Sequence, residues 1–435
     1  MRKQYRTGDQ NWVRERNLAI VLSYLWEAGR EISRADLAEL SGLNKSTVGN
    51  LLVQLQVWGL VKESGVSSDH LGRPGVLLDI NADAGRIIGI ELGVGFVSAV
   101  VADMKANVIW RRKVEMTDEG RPLAEASQEQ VLEQSERLVQ EAIEYSKQCT
   151  CRLFGLGVGL PGLVDHRTGT LLFAPNLGWH NVPIRDMWRT RFGTLVIEEN
   201  EADAAALGEH MLGVAKQVDN FVYLSAGVGL GGGLVIDGKL RGGARGFAGE
   251  IGHMTLEPDG PVCNCGNRGC WETLIGPRAI LQSVRQAARE NRAPILLSLC
   301  NGDPAAIQIE QVLQAAARGE PAVLIALAEV GRYLGIGIAN LINALDPNLI
   351  VLGGVLSAMG SYILPRAQYE VNLRALPTTR ESVEIKLSAF QLDACLMGGV
   401  ALILHQVLGN PAIFYPKPTG QAFFEEGAPF TTGIL

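Results

Sequence analysis

No stretch of 18 or more consecutive apolar residues occurs in the 435-residue chain, so no membrane span is expected. The N-terminal MRKQYRTGDQNWVRERN is charged and has no apolar centre, which does not read as a signal peptide. Cysteine is scarce and odd in number, at seven. Four of those lie outside the one dense cluster, which argues against a disulfide framework and for a reducing cytoplasm. Cys149 and Cys151 form a CxC pair of their own, at the start of an apolar run, and read as packed thiols. Positive charge is also lacking: the net charge is −7, which weighs against a generic nucleic-acid binder.

That charge is unevenly spread. Residues 1–62 hold nine Lys and Arg against six acids, leaving +3 there and −10 for the remainder. A basic arm on an acidic body fits a small DNA-binding module joined to a larger unit. The length itself implies two or three domains, and 47% hydrophobic content with 51 Gly suits a loop-rich α/β protein.

Within the arm, Asn17 to Ala28 places Leu18, Val21, Leu22 and Leu25 at helical spacing and stops at Gly29. Ser33 is a good N-cap for a short helix over Arg34–Leu40, which Ser41-Gly42 closes. Asn44 caps a third helix, Lys45 to about Trp58. Short helix, Ser-Gly turn and longer helix make a helix-turn-helix, and two strands around Leu60–Glu63 and Gly75–Ile80 add a wing. The recognition helix would meet operator DNA through Asn44, Lys45, Ser46, Thr47 and Asn50, all short polar or basic. Arg73, in the wing loop Leu71-Gly-Arg-Pro-Gly75, is placed to reach a narrow minor groove. The alternatives are a protein-interaction module for the three helices and a plain linker for the wing loop.

The densest chemistry lies in Glu250–Glu272, EIGHMTLEPDGPVCNCGNRGCWE. His253, Cys263, Cys265 and Cys270 supply the imidazole and thiolates of a four-coordinate zinc site. Gly266 and Gly269 allow a tight turn around an ion. The other possibility is three unrelated thiols and a core histidine; spacing, glycines and composition favour the metal. A full shell of His and three Cys leaves no open position for a reactive water, so the zinc would be structural. Glu250 and Glu272 bracket the stretch.

This stretch resembles the signature of the ROK family (repressors, open reading frames, kinases): Glu250-Ile-Gly-His253, then Cys263-Asn-Cys265-Gly-Asn-Arg-Gly-Cys270-Trp-Glu272. The resemblance implies that His253 and the three cysteines bind zinc and that Glu250, His253 and Glu272 meet a sugar. It also implies an actin-like ATPase fold, whose first hairpin would be Arg86–Met104. Family kinases carry Asp-x-Gly-Gly-Thr-Lys at that turn; here Glu91, Gly93, Val94, Gly95 and Phe96 stand, so bulk is added while hydroxyl and charge are lost. They also carry Asn-Asp-Ala-Asn, whose Asp is the catalytic base. Here the run is Asn200-Glu201-Ala202-Asp203. An extra methylene displaces the carboxylate by more than about 1 Å, enough to cost on the order of 100-fold in rate. Asp203, two residues on along a helix, should face elsewhere. Both departures resemble the xylose-repressor branch. Ala174–Trp179 resembles the loop that closes over sugar, with Asn176 as hydrogen-bonder and Trp179 as apolar wall.

The expectation is therefore an α/β chain: a winged helix-turn-helix with linker at 1–80, then a two-lobed actin-like fold of the ROK sugar-kinase type. The small lobe would take 81–200 plus 390–410, the large lobe with its zinc loop 201–389, and a tail 411–435. The chain would be a cytoplasmic, sugar-responsive repressor and no enzyme. An unphosphorylated, xylose-like monosaccharide held by Asn176, Asn200, Glu201, Glu250, His253 and Glu272 would release it from DNA. It would work as a homodimer, or a tetramer of paired dimers. The alternative is an ATP-dependent sugar kinase that has kept a DNA-binding arm.

Overall fold

The computed structural model describes residues 10–66, 75–118, 121–122, 127–380 and 382–415. The first helix is longer than its periodicity predicts, Gln10–Glu27. The short helix Arg34–Ser41 starts at Ser33, whose hydroxyl accepts the Asp36 N–H while the Asp36 carboxylate accepts the Ser33 N–H. Gly42 ends it in the left-handed conformation (φ 67°). Asn44 caps the recognition helix Lys45–Val57. The wing strands Val61–Val66 and Val76–Ile80 pair antiparallel, and Ile32–Ser33 adds a third strand. Arg73 lies outside the described residues.

Two five-stranded sheets follow, and their strand orders match. The first runs Val196–Asn200, Arg152–Leu160, Gly85–Gly93, Phe96–Ala102, Val108–Glu115. The second runs Glu384–Leu387, Leu349–Gly353, Phe221–Ala226, Leu230–Ile236, Lys239–Leu240. In each, a hairpin of antiparallel strands is extended on one side by two parallel ones. Two lobes of one topology thus face each other across a cleft. Ligands of such sheets bind beyond the carboxyl ends of the parallel strands.

Two helices hold the lobes in place. Glu201–Leu212 starts at the cleft and packs on both sides. A Cβ at Gly233 would meet the Ala206 Cβ at 2.5 Å, and one at Gly208 would meet the Gly398 nitrogen at 2.8 Å. Ala394–Gly409 returns from the large lobe to the first sheet, and Gly399 there lets its backbone lie against Gly157. This helix ends in a core that also contains the DNA-binding module. Val400, Ile403, Leu404, Val407 and Leu408 form one buried cluster with Leu18, Leu22, Leu25, Leu52 and Leu60. Phe414 and Tyr415, from a tail without an assignable role in the sequence, complete that junction. Tyr415 stacks on Trp58 with centroids 4.8 Å apart, and Phe414 meets Phe154 edge-on.

Two helices, Pro321–Leu345 and Gln391–Gly409, have the length and hydropathy of a membrane span although neither is an unbroken apolar run. Most of each window, 56% and 72%, is buried inside the chain, as in core helices of a globular fold. Cys149 and Cys151, expected as packed thiols, are joined to each other in a disulfide. The CxC spacing puts their Cα atoms 5.1 Å apart, within reach of a bridge.

Candidate functional site

The cleft between the lobes has a volume of about 410 Å³, in the range of small-molecule sites. The small lobe lines it with Glu91, Phe96, Ser98, Asn176 and Asn200, and the helix that follows adds Glu201 and Asp203. The large lobe contributes Gly227, Val228, Gly229, Glu250, His253 and Glu272. All six expected sugar contacts therefore border one space. Trp179 does not. It is 2% exposed, in the core beneath the loop. Asn176 at the loop tip stays exposed to the cleft, so the turn displays its polar residue and buries its indole.

Asn200 has little left to offer a ligand. Its Oδ1 accepts the N–H groups of Ala202 and Asp203 at 2.8 and 3.3 Å, and its Nδ2 donates to the Gly162 carbonyl at 2.9 Å. It caps the helix that carries Glu201. Asp203, expected to face elsewhere, lines the cleft as well. The reason is geometric: the helix points its first turn at the cavity, so positions one and three of that turn both border it.

The metal-ligand atoms of His253, Cys263, Cys265 and Cys270 all lie within 4.8 Å of one another. His253 Nδ1 is 3.6 Å from Cys263 Sγ, and Cys265 Sγ is 3.7 Å from Cys270 Sγ. Bond lengths of about 2.1 and 2.3 Å in a tetrahedron give ligand separations of about 3.6–3.8 Å, so the donor set fits a four-coordinate ion. Gly269 makes the loop possible: it sits at φ 63°, and a Cβ there would lie 1.5 Å from the Glu257 carbonyl. Both carboxylates flank the histidine. Glu250 Oε2 is 3.7 Å from Nε2, and Glu272 Oε1 is 3.7 Å from Nδ1. Glu272 Oε2 also accepts the Leu230 N–H at 3.4 Å, beside Gly229, whose missing side chain leaves room for it.

On the opposite side the first hairpin turn fills itself. The Phe96 ring folds over Gly93, where a Cβ would lie 2.2 Å from it. Lys113 Nζ sits 4.4 Å from the ring centroid and 2.6 Å from Glu115. Arg111 pairs with both oxygens of Asp393, one at 2.6 Å. Arg111 and Lys113 line the cleft, and both are neutralised by neighbours. Their i, i+2 spacing on one strand is the signal that could have found them.

The cleft is acid-rich, and several of its carboxyl groups are buried. Burial, and then Glu201 and Asp393, push Glu91 up to about 8. Burial and Glu250 raise Glu201 to about 7. Carboxyl groups that hold a proton near neutrality donate hydrogen bonds as well as accept them. That suits the hydroxyl groups of a neutral polyol and disfavours a phosphate.

At the other end of the molecule, Lys45, Ser46 and Asn50 are exposed on the recognition helix and Thr47 is half-buried. Asn44 is occupied: its Oδ1 accepts the Thr47 N–H at 2.8 Å and the Ser46 hydroxyl at 2.7 Å. Lys45 and Asn50 take no part in that cap.

Comparison with known proteins agrees with this division. A family model described as ROK family matches residues 87–406, and one described as IclR helix-turn-helix domain matches residues 17–65. A putative xylose repressor from Caldicellulosiruptor sp. (strain Rt8B.4) is 35% identical over 404 residues, 93% of this chain and 99% of that protein. The crystal structure of a ROK family transcriptional regulator, a homolog of the E. coli MLC protein, superposes with a TM-score of 0.77. It is 28% identical, over 92% of this chain and 97% of that one. A ROK family glucokinase from Streptomyces griseus, solved with glucose and AMPPNP, gives a TM-score of 0.66 at 30% identity. It covers 73% of this chain and 99% of its own.

Proposed function

The chain belongs to the ROK family, and from that premise we propose that it is a sugar-responsive, DNA-binding transcriptional repressor with no kinase activity. The observation that carries this reading is the asymmetry of the cleft. Glu201, Glu250, His253 and Glu272 line one side of it with hydrogen-bonding groups. On the other, Phe96, Lys113 and the Arg111–Asp393 pair occupy one another where a nucleotide's phosphates would need hydroxyl and free cation.

In this reading a neutral monosaccharide, of which D-xylose is the first candidate, binds between the lobes and draws them together. Zinc held by His253, Cys263, Cys265 and Cys270 would fix the loop and orient the imidazole, whose Nε2 is left for Glu250 and the sugar. The helix Ala394–Gly409 touches both ends of the path. Its start lines the cleft at Ala394, Cys395 and Leu396, and its end shares a core with the first helix of the DNA-binding module. Closure that shifts this helix would move the module relative to its partner copy in a homodimer. DNA affinity would then fall by the ligand's differential affinity for the two states. The small lobe would comprise 81–200 with 390–410 and the large lobe 201–389, the chain acting in the cytoplasm.

The similarity to a glucokinase favours a second reading, an ATP-dependent sugar kinase. Two measurements separate them: operator retention in a gel shift with and without D-xylose or D-glucose, and a coupled ATPase assay with the same sugars. Sugar-dependent release with no turnover is the expected result. Turnover above about 1 per second, within the ordinary enzyme range, would overturn the repressor-only reading.

A further inference from the structure

The acid that fits least well into this scheme is Asp203. Its residue is 4% exposed, and its Oδ1 is buried with no hydrogen-bond partner among the described residues. A buried polar atom without a partner is rare and costly in a native fold, and one that borders a cavity points to what enters the cavity. The charges that act on it are acids, Glu250, which also lines the cleft, and the buried Glu199. Glu199 in turn is committed, accepting the Asn200 N–H at 2.8 Å with His166 Nε2 at 3.4 Å. Asn200 Oδ1 takes the Asp203 backbone N–H, so the residue's backbone is held while its Oδ1 is left over.

We propose that Asp203 is a specificity-determining residue of the cleft, whose carboxyl engages one particular hydroxyl of a bound monosaccharide. This rests on the sugar-binding reading above. The chemistry is that of a hydroxyl. Burial and Glu250 push the Asp203 carboxyl up to about 8, so the group approaches a neutral donor-acceptor, which a hydroxyl matches in both directions. A carboxylate or phosphate ligand would meet Glu250, Glu201 and Glu272 and be repelled. Sites built to hydrogen-bond a substrate hydroxyl reject analogues that lack it, because the site's own buried group is then left unpaired. Asp203 would thus rank sugars by whether they place a hydroxyl at its position.

The test is calorimetry on the wild type, Asp203→Ala and Asp203→Asn with D-xylose, its 2-, 3- and 4-deoxy analogues and D-glucose, with melting temperature as the folding control. The expected result is a loss of about 10–100-fold in D-xylose affinity for Asp203→Ala. One deoxy analogue should bind wild type and variant equally, because the partner hydroxyl is already gone. If Asp203→Ala fails to fold, Asp203→Asn carries the test: its loss must again vanish for that same analogue. Wild-type binding with both variants unchanged on every ligand, or weakened equally on all, would overturn the proposal. Failure of the wild type to bind either parent sugar would overturn the sugar reading, and this one with it.

Discussion

The two walls of the cleft come from lobes whose sheets share one strand order, yet they have opposite habits. The wall around Glu250, His253 and Glu272 lines the space with polar groups that a Cys- and Gly-built loop holds in place. The wall around Gly93 and Phe96 satisfies itself, ring over glycine, ammonium over ring, guanidinium on carboxylate. A binding surface is one whose groups are held but not consumed. By that measure one wall has the make-up of a binding surface and the other that of packing.

The largest break in this contrast should come from Cys265→Ser. Losing one of four donors should drop bound zinc from about one per chain to nearly none, and sugar-dependent operator release with it, because folding of the loop and metal binding are one event. Metal content by emission spectrometry together with the gel shift measures both. A variant that kept its metal and its response would refute the assignment. Next in size, Glu272→Ala should weaken D-xylose binding by about 100-fold while leaving operator affinity in the absence of sugar unchanged. Lys45→Ala on the recognition helix should give the mirror image, weaker operator binding with sugar affinity intact. Equal effects of both substitutions on both ligands would mean that the two ends do not act as separate sites.

What was legible in the sequence follows a physical line. Ser33 and Asn44 were readable as caps because a cap bonds to its own helix within three residues. The gathering of His253 with the three cysteines was readable because the four side chains lie within 18 residues and the glycines are local necessities. Asp203 and Trp179 were misplaced because their roles depend on which end of a helix, or which side of a loop, meets the cavity. That is decided by Ala202 and Ala206 packing on Gly231 and Gly233, and by the core around Trp188 and Val182. Arg111 and Lys113 escaped notice because only the register of three strands brings them opposite Val100 and Ser98, on the cleft side. Tyr415 carries no motif at all; its partner Trp58 is more than 350 residues away.

Acidity offers a further comparison of the walls. Glu91 is an ordinary carboxyl near 4.5 when unfolded and rises to about 8 in the fold. Between those values the folded chain holds a proton that the unfolded chain has released, so stability falls as pH rises through this window and levels off above it. The slope from one such group is at most about 1.4 kcal/mol per pH unit. Glu201 acts in the same direction up to about 7. The melting temperature should therefore drop between pH 5 and 8, and Glu91→Gln, which cannot ionise, should flatten the decline. An unchanged slope in that variant would mean that Glu91 is not held dry by Phe96 and its neighbours.

The smallest expected effect tests whether the walls speak to DNA at all. Tyr415 stacks on Trp58 of the DNA-binding module and lies under the Arg152 guanidinium, 4.6 Å from its centroid, at the head of a small-lobe strand. Stacked pairs of this kind contribute about 0.5–1.5 kcal/mol beyond their buried area. Tyr415→Ala should therefore leave sugar affinity and apo-operator affinity nearly as they are, yet shrink the ratio between operator affinities with and without sugar by several-fold. A rigid junction transmits a lobe movement; a loosened one absorbs it. If the ratio survives Tyr415→Ala, transmission runs through the leucine core of Ala394–Gly409 and the first helix alone, and Leu404→Ala becomes the substitution that must abolish it.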